Sequence, residues 1–170
     1  FVEISRNARV IDVGTGAGFP GLPLLIARPD LDLTLADSLH KRLVFLEDVL
    51  HGCGLVAELL HERAEILGKD PDYREQYDIA TARAVAPLPV LCEYCLPFVK
   101  VGGAFLALKG AEDEVATAKC AIATLGGELE QNVSYKLPSG DSRHLVVVRK
   151  ISQTPTKYPR KPKKIDTKPL

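Results

Sequence analysis

The stretch Asp12-Val13-Gly14-Thr15-Gly16-Ala17-Gly18-Phe19-Pro20-Gly21 decides how the rest of the chain is read. It completes a short β-branched run, Arg9-Val10-Ile11-Asp12-Val13, and leads into a helix that Pro20 opens and that extends to about Arg28. Proline is favoured in a first helical turn because its missing N–H has no partner to lose there. Glycine lets the main chain turn tightly and approach a ligand with no Cβ in the way, and the start of the following helix presents unpaired N–H groups. A strand, a glycine-rich turn and a helix in this order are the opening of an α/β sheet whose ligands bind at the carboxyl ends of its strands.

Outward from this turn, apolar runs and turn signals keep alternating. Residues 31–36 read as a second strand, and Leu43, Leu46, Val49 and Leu50 recur at helical spacing over 39–53, with Gly52 and Gly54 ending the helix. Further strands are predicted over 57–61, 78–81 and 103–109, with helices over 87–98 and 112–125. Residues 130–136 and 144–150 then read as a hairpin about Pro138-Ser139-Gly140-Asp141. The fold class expected is α/β, a Rossmann-like doubly wound sheet with a C-terminal antiparallel hairpin. The last twenty residues hold Pro155, Pro159, Pro162 and Pro169 among lysines, a composition that reads as unable to form a helix or a central strand. One domain over 1–150 and a basic, proline-rich tail over 151–170 are therefore expected.

Composition agrees with one ordinary globular domain: 170 residues, 46% apolar and 26% charged. A chain of this length buries roughly 70% of its unfolded surface, enough to hold a core without disulfides or a structural metal. Its longest apolar runs, such as 22–27, fall far short of the roughly 20 residues that span a bilayer. No signal peptide opens the chain, and a cytoplasmic location is expected. No Met occurs at any position and a strand begins almost at once, which reads as a fragment whose N-terminus lies upstream. Cys53, Cys92, Cys95 and Cys120 fall in helical segments without framework spacing, so reduced thiols are expected. Cys92 and Cys95 have the spacing of a zinc or redox pair, but no second pair exists; two buried helix thiols and no metal are the expectation. The balance of 22 bases and 22 acids hides an asymmetry, because the tail carries +5 and the remainder −5.

Asp37, at the end of the second strand and about 20 residues beyond the glycines, stands where a carboxylate accepts from both hydroxyls of a ribose. Gly14, Gly16 and Gly18 occupy the first, third and fifth places of the turn, whereas a dinucleotide fingerprint has its third glycine at the sixth. That pattern resembles motif I of S-adenosylmethionine-dependent methyltransferases. Gly14-x-Gly16 also satisfies part of a dinucleotide pattern, so a nucleotide-dependent oxidoreductase stays open on this turn alone.

The resemblance then becomes specific. Asp12-Val-Gly-Thr-Gly-Ala-Gly-Phe-Pro-Gly-Leu-Pro23, Asp37-Ser-Leu-His-Lys-Arg42, Arg63-Ala-Glu65, Thr81-Ala-Arg-Ala-Val-Ala86, Leu106-Ala-Leu-Lys-Gly110 and Arg143-His-Leu-Val-Val147 resemble, in order, the RsmG (GidB) family. Its members are bacterial methyltransferases that modify N7 of one guanine in 16S ribosomal RNA. The family also has an N-terminal helical segment before the first strand, which this sequence lacks. The resemblance implies S-adenosylmethionine as cofactor, 16S ribosomal RNA or the small ribosomal subunit as partner, and a monomer that needs neither membrane nor metal. It implies that Gly14 and Phe19 contact the cofactor, with Gly16 and Gly18 in the same turn. Asp37, Ser38 and Leu39 would bracket the ribose, Ala64 and Glu65 would border the adenine, and Arg83 would lie by the methionine end and the incoming base.

Residue chemistry supports these roles independently. Phe19 can wall the site, and Glu65 lies shortly after the third strand, where a carboxylate or nearby backbone can read an adenine amino group. Amino-directed nucleic-acid methyltransferases carry an Asn/Asp-Pro-Pro-aromatic motif after the fourth strand, where this chain has Thr81-Ala82-Arg83-Ala84. Guanine N7 has a free lone pair and no proton to remove, so its methylation needs orientation and not a general base. Arg83 can give bidentate hydrogen bonds to guanine O6 or to phosphate; a salt bridge to a nearby acid is its purely structural alternative. Arg42 could pair with an acid or meet a phosphate, Lys109 could face RNA or cap the sheet, and Arg143 could touch RNA beside a structural His144. Lys157, Arg160, Lys161, Lys163 and Lys164 of the tail are further candidates for sequence-independent phosphate contact. A small-molecule methyltransferase and a non-catalytic ribosome-binding module are the alternative functions.

Overall fold

The computed structural model describes residues 2–170 and has a single seven-stranded sheet. Strands β1 (Arg9–Val13), β2 (Asp32–Asp37), β3 (Glu58–His61), β4 (Tyr77–Arg83), β5 (Val99–Lys109), β6 (Gly127–Lys136) and β7 (Ser142–Lys150) lie in the order β3-β2-β1-β4-β5-β7-β6. The first five run parallel, and β7 is antiparallel to both β5 and β6. The helices are α1 (Gly21–Ala27), α2 (His40–Cys53), α3 (Ala64–Leu67), α4 (Leu88–Cys95), α5 (Val115–Thr124) and α6 (Pro162–Thr167). The expected strand-and-helix series and closing hairpin are present, with α3 and α6 in addition.

Alternation along each strand explains the three layers. On β1, Val10 points toward α1 and α2, joining Leu22, Leu25, Leu43, Leu46 and Leu50, while Ile11 and Val13 point toward α4 and α5. Central β5 divides likewise, with Ala104 and Leu106 on the first face and Phe105 and Ala107 on the second. Covered on both faces, the inner strands are apolar almost throughout, as parallel strands need to be. Helix α2 ends where Gly54 takes φ +64 and its N–H bonds the last carbonyls; Gly52 is inside the helix. The order reverses between β1 and β4, so the loops leaving these strands diverge there and open a crevice.

The tail departs from expectation. It is a folded strap, and residues 162–167 form a helix in spite of Pro162. Pro162 stands in the first turn, where no intrahelical N–H bond is lost, and the N–H groups of Lys164 and Ile165 both reach the Lys161 carbonyl. Ile165, Tyr158 and Thr154 are buried, and the first two join the α4–α5 core. Arg74 donates to the carbonyls of Gly68, Thr154 and Tyr158 at 2.6–2.9 Å. Lys150 is fully buried and donates to Glu75, Thr154 Oγ1 and the carbonyls of Leu96 and Val99, and its burial pushes the ammonium down to about 8. Cys92 and Cys95 are buried on α4 as free thiols, as expected of them.

Candidate functional site

Two buried carboxylates shape the crevice from below. Asp12, fully buried on β1, accepts from Thr15 Oγ1 at 2.6 Å and the Gly21 N–H at 3.1 Å through one oxygen, and from Thr81 Oγ1 of β4 at 2.8 Å through the other. It therefore ties both ends of the glycine loop to the neighbouring strand. Burial pushes its pKa up, opposed by those hydrogen bonds and by the charge of Arg83. Asp37, 2% exposed at the end of β2, accepts from the Leu39 N–H at 2.9 Å and the Gly16 N–H at 3.0 Å, and pairs with Arg42 at 3.1 Å. The sequence offered Asp12 only as a neighbour of the glycines, and Arg42 meets an acid here.

The glycines differ in what their missing Cβ permits. Gly14 has φ +67, and a Cβ there would meet Val85 Cγ2 at 2.7 Å. The glycine loop and the loop after β4 thus approach each other closely across the crevice. Gly16 has φ +60 with open space about it, so conformation alone favours glycine there. At Gly18 a Cβ would collide with Leu22 and Leu46, so its absence seats the loop on α1 and α2.

Above these carboxylates lies a cleft of about 380 Å³, within the range of small-ligand sites. Of the residues singled out by sequence, Gly14, Asp37, Ser38, Ala64, Glu65 and Arg42 line it. Gly16, Gly18, Phe19, Leu39 and Arg83 stand outside the lining. Residues that sequence reasoning gave no role, notably Glu62, Arg63, Val85 and Tyr94, complete the walls. Arg63 and Ala84–Val85 fall inside the quoted motifs and were findable there; Tyr94 comes from α4 and enters only through packing. Glu65 is buried and accepts from Arg63 Nε at 2.5 Å. The Tyr94 hydroxyl donates to Asp166 of the strap at 3.2 Å, and burial pushes its pKa up to about 12, keeping it a donor near neutral pH.

At the switch point the last residue of β4 is Arg83, whose exposed guanidinium lies 5.0 Å from the centre of the Phe19 ring. Among the described residues no carboxylate is within ion-pair distance of it. Ala84 follows with φ +56, a rare conformation for a residue with a Cβ and one that gathers at functional turns. Lys109, 9% exposed, pairs with Glu114 at 3.0 Å and donates to the Ala86 carbonyl at 2.9 Å, while Glu114 accepts the Leu88 N–H at 2.5 Å. These contacts pin the turn between Arg83 and α4 from the end of β5. Arg143 pairs loosely with Asp141 at 3.6 Å at the start of β7, on the same edge of the sheet, and His144 meets Asn132.

The remaining basic candidates lie elsewhere. Arg160 is committed to Glu93, itself 1% exposed, with guanidinium–carboxylate distances of 2.6–3.0 Å. Lys157, Lys161, Lys163 and Lys164 are exposed on the strap. No group of three potential metal ligands gathers among the described residues, and none of their helices is long and apolar enough to cross a membrane.

A cradle whose backbone a Cβ would close at Gly14, a buried acceptor at Asp37 and an acidic far wall at Glu65 fit a charged nucleoside such as S-adenosylmethionine. The fold is shared with an S-adenosylmethionine-dependent O-methyltransferase of Thermotoga maritima, at TM-score 0.64 and 15% identity over 88% of this chain and 62% of that one. The family model for GidB, rRNA small subunit methyltransferase G, matches residues 1–146. Ribosomal RNA small subunit methyltransferase G of Acetivibrio thermocellus is 54% identical over 97% of this chain and 69% of its own length. That of Alkaliphilus oremlandii is 52% identical over 98% and 72%. Glycine loop, buried Asp37 and switch-point Arg83 thus stand in a chain that belongs to the rRNA small subunit methyltransferase G family.

Proposed function

We propose that this chain methylates N7 of a guanine in 16S ribosomal RNA, and that Arg83 positions the base. The observation that carries the reading is the β4 turn, where an exposed arginine is followed by Ala84-Val85-Ala86-Pro87. None of these residues can take a proton, and a ring nitrogen with a free lone pair asks for none. Arg83, Ala84 and Val85 are all exposed, an open rim that suits a base presented by a macromolecule.

S-adenosylmethionine supplies an electrophilic sulfonium methyl to the nucleophile. The chain holds and orients. Asp37 takes the ribose hydroxyls, with the exposed Arg42 guanidinium as the partner that gives way; Gly14 lets the main chain close on the cofactor; and Ala64, Glu65 and Tyr94 wall the adenine end. Arg83 is kept over Phe19 by a contact worth about 0.5–1 kcal/mol at an exposed site, and its fork reaches guanine O6. A guanidinium beside a base that becomes cationic gives no electrostatic help to the transition state. Its contribution is alignment, which governs how often N7 faces the methyl in line.

The test is transfer of labelled methyl to undermethylated small-subunit RNA, free and in particles, with chemical mapping of the modified atom. The expected product is a single N7-methylguanine. Label on an exocyclic nitrogen or a ribose, or transfer only to a small molecule, overturns the reading.

A further inference from the structure

The strap that folds over α4 places its charges in one locality. Lys157, Lys161, Lys163 and Lys164, together with Lys69 from beyond the end of α3, line an open groove of about 540 Å³. Only Arg160 and Thr167 join them in the lining, and no carboxylate does among the described residues. Arg160 is already neutralised by buried Glu93, and that pair anchors the groove's floor. Asp166, the one acid of the strap, turns its carboxyl to Tyr94 instead. The five ammonium groups are exposed, and none is in an ion pair among the described residues.

We infer that this groove is a docking surface for the phosphodiester backbone of the substrate RNA, separate from the rim that receives the target base. The inference rests on the ribosomal RNA reading above. Three observations favour nucleic acid. Lysine ammoniums on flexible stems suit a repeating line of phosphates, which demands charge more than fixed geometry. The lining has no apolar residue, so it lacks the buried aromatic or aliphatic anchor that a protein hot spot would use. The groove is also tied to the cofactor cleft: α3 places Ala64 and Glu65 in the cleft and is followed closely by Lys69, and the Tyr94–Asp166 bond joins cleft to strap. RNA held along the groove is therefore delivered beside the site and not to a remote face.

The experiment compares the unaltered chain with the variant Lys157→Ala/Lys161→Ala/Lys163→Ala/Lys164→Ala and with Lys69→Ala. Binding to undermethylated 16S ribosomal RNA is measured against salt, together with kcat and KM for methyl transfer. All five side chains are exposed and Arg160 is retained, so unfolding temperature and S-adenosylmethionine affinity should be unchanged. The fourfold variant is expected to flatten the log-affinity against log-salt slope by about 3, at roughly 0.7 per single-strand phosphate contact, and to raise KM for RNA at least tenfold while sparing kcat. Lys69→Ala, with the strap intact, should flatten the slope by slightly under 1. An unchanged slope in a chain that binds and methylates the RNA overturns the groove and leaves the catalytic reading standing. A chain that binds through the lysines without transferring methyl has the opposite meaning. Crosslinking of the lysines to a ribosomal protein and not to RNA also overturns the assignment.

Discussion

The crevice at the carboxyl ends of β1 and β2 and the strap across α4 are both organised by buried carboxylates, which take their partners from different distances along the chain. Asp12 and Asp37 accept from hydroxyls and N–H groups largely of their own strand–loop–helix units, including Thr15, Gly21, Gly16 and Leu39. Glu93 instead accepts the Arg160 guanidinium and N–H from 67 positions away. Hydrogen bonds from nearby N–H and hydroxyl groups fix the shape of the glycine loop and leave its surroundings open for a ligand. One dominant ion pair holds two segments together, and its removal strands a charge in the core. Substitutions in the crevice should thus show mainly in binding and rate, and substitutions at the strap's anchor mainly in stability.

The largest effect is expected for Arg160→Ala, which leaves Glu93 buried without its cation and should cost about 3–5 kcal/mol in denaturant unfolding. Removing both partners, as Glu93→Leu with Arg160→Leu, should recover much of that loss. A decrease below about 1 kcal/mol for the single variant would mean that this pair does not anchor the strap.

Arg83→Ala sharpens the contrast from the other side. Misplacement of a reacting group by about 1 Å lowers rate on the order of 100-fold, so single-turnover methylation should fall by about that factor while stability and cofactor affinity change little. Arg83→Lys should also be impaired, because an ammonium lacks the planar fork. Near-normal transfer by the alanine variant removes the positioning role, and a parallel collapse of calorimetric cofactor affinity moves Arg83 into the cofactor site.

Asp37→Ala should weaken S-adenosylmethionine binding by about 1–3 kcal/mol, since two ribose hydroxyls lose a charged acceptor. Equal calorimetric affinities would take Asp37 out of the binding site.

Gly16→Ala is the mildest case. A Cβ there has only the Gly14 carbonyl at 4.0 Å, so the cost is that of a left-handed conformation, about 1 kcal/mol of unfolding free energy. Gly14→Ala adds the collision with Val85 and should cost more. Equal unfolding energies for the two would show that the close approach of the loops is not rigid.

Much of this could be read from the sequence, for a definable reason. The β1 loop, Asp37, the order of strands and helices and the two thiols on α4 depend on neighbours within one or two elements, where periodicity, glycine and proline act directly. The switch-point position of Arg83 follows from the same order. What the sequence hid was set by contacts between distant positions. Read locally, four prolines and six bases describe an extended tail, and they do not reveal that Glu93 lies buried on α4 waiting for a guanidinium. Nor do they show that Ile165 and Tyr158 have a core to enter, and these burials are what make six residues of helix worth forming. The same limit concealed Tyr94 in the cleft wall, Lys109 and Glu114 as the clamp on the β4 turn, and the difference between Arg160 and the lysines around it. Sequence by itself determined the sheet, the glycine loop and the family. Only the tertiary structure decided which charges are spent inside the protein and which remain for a partner, because pairing depends on proximity in space and a linear pattern does not record it.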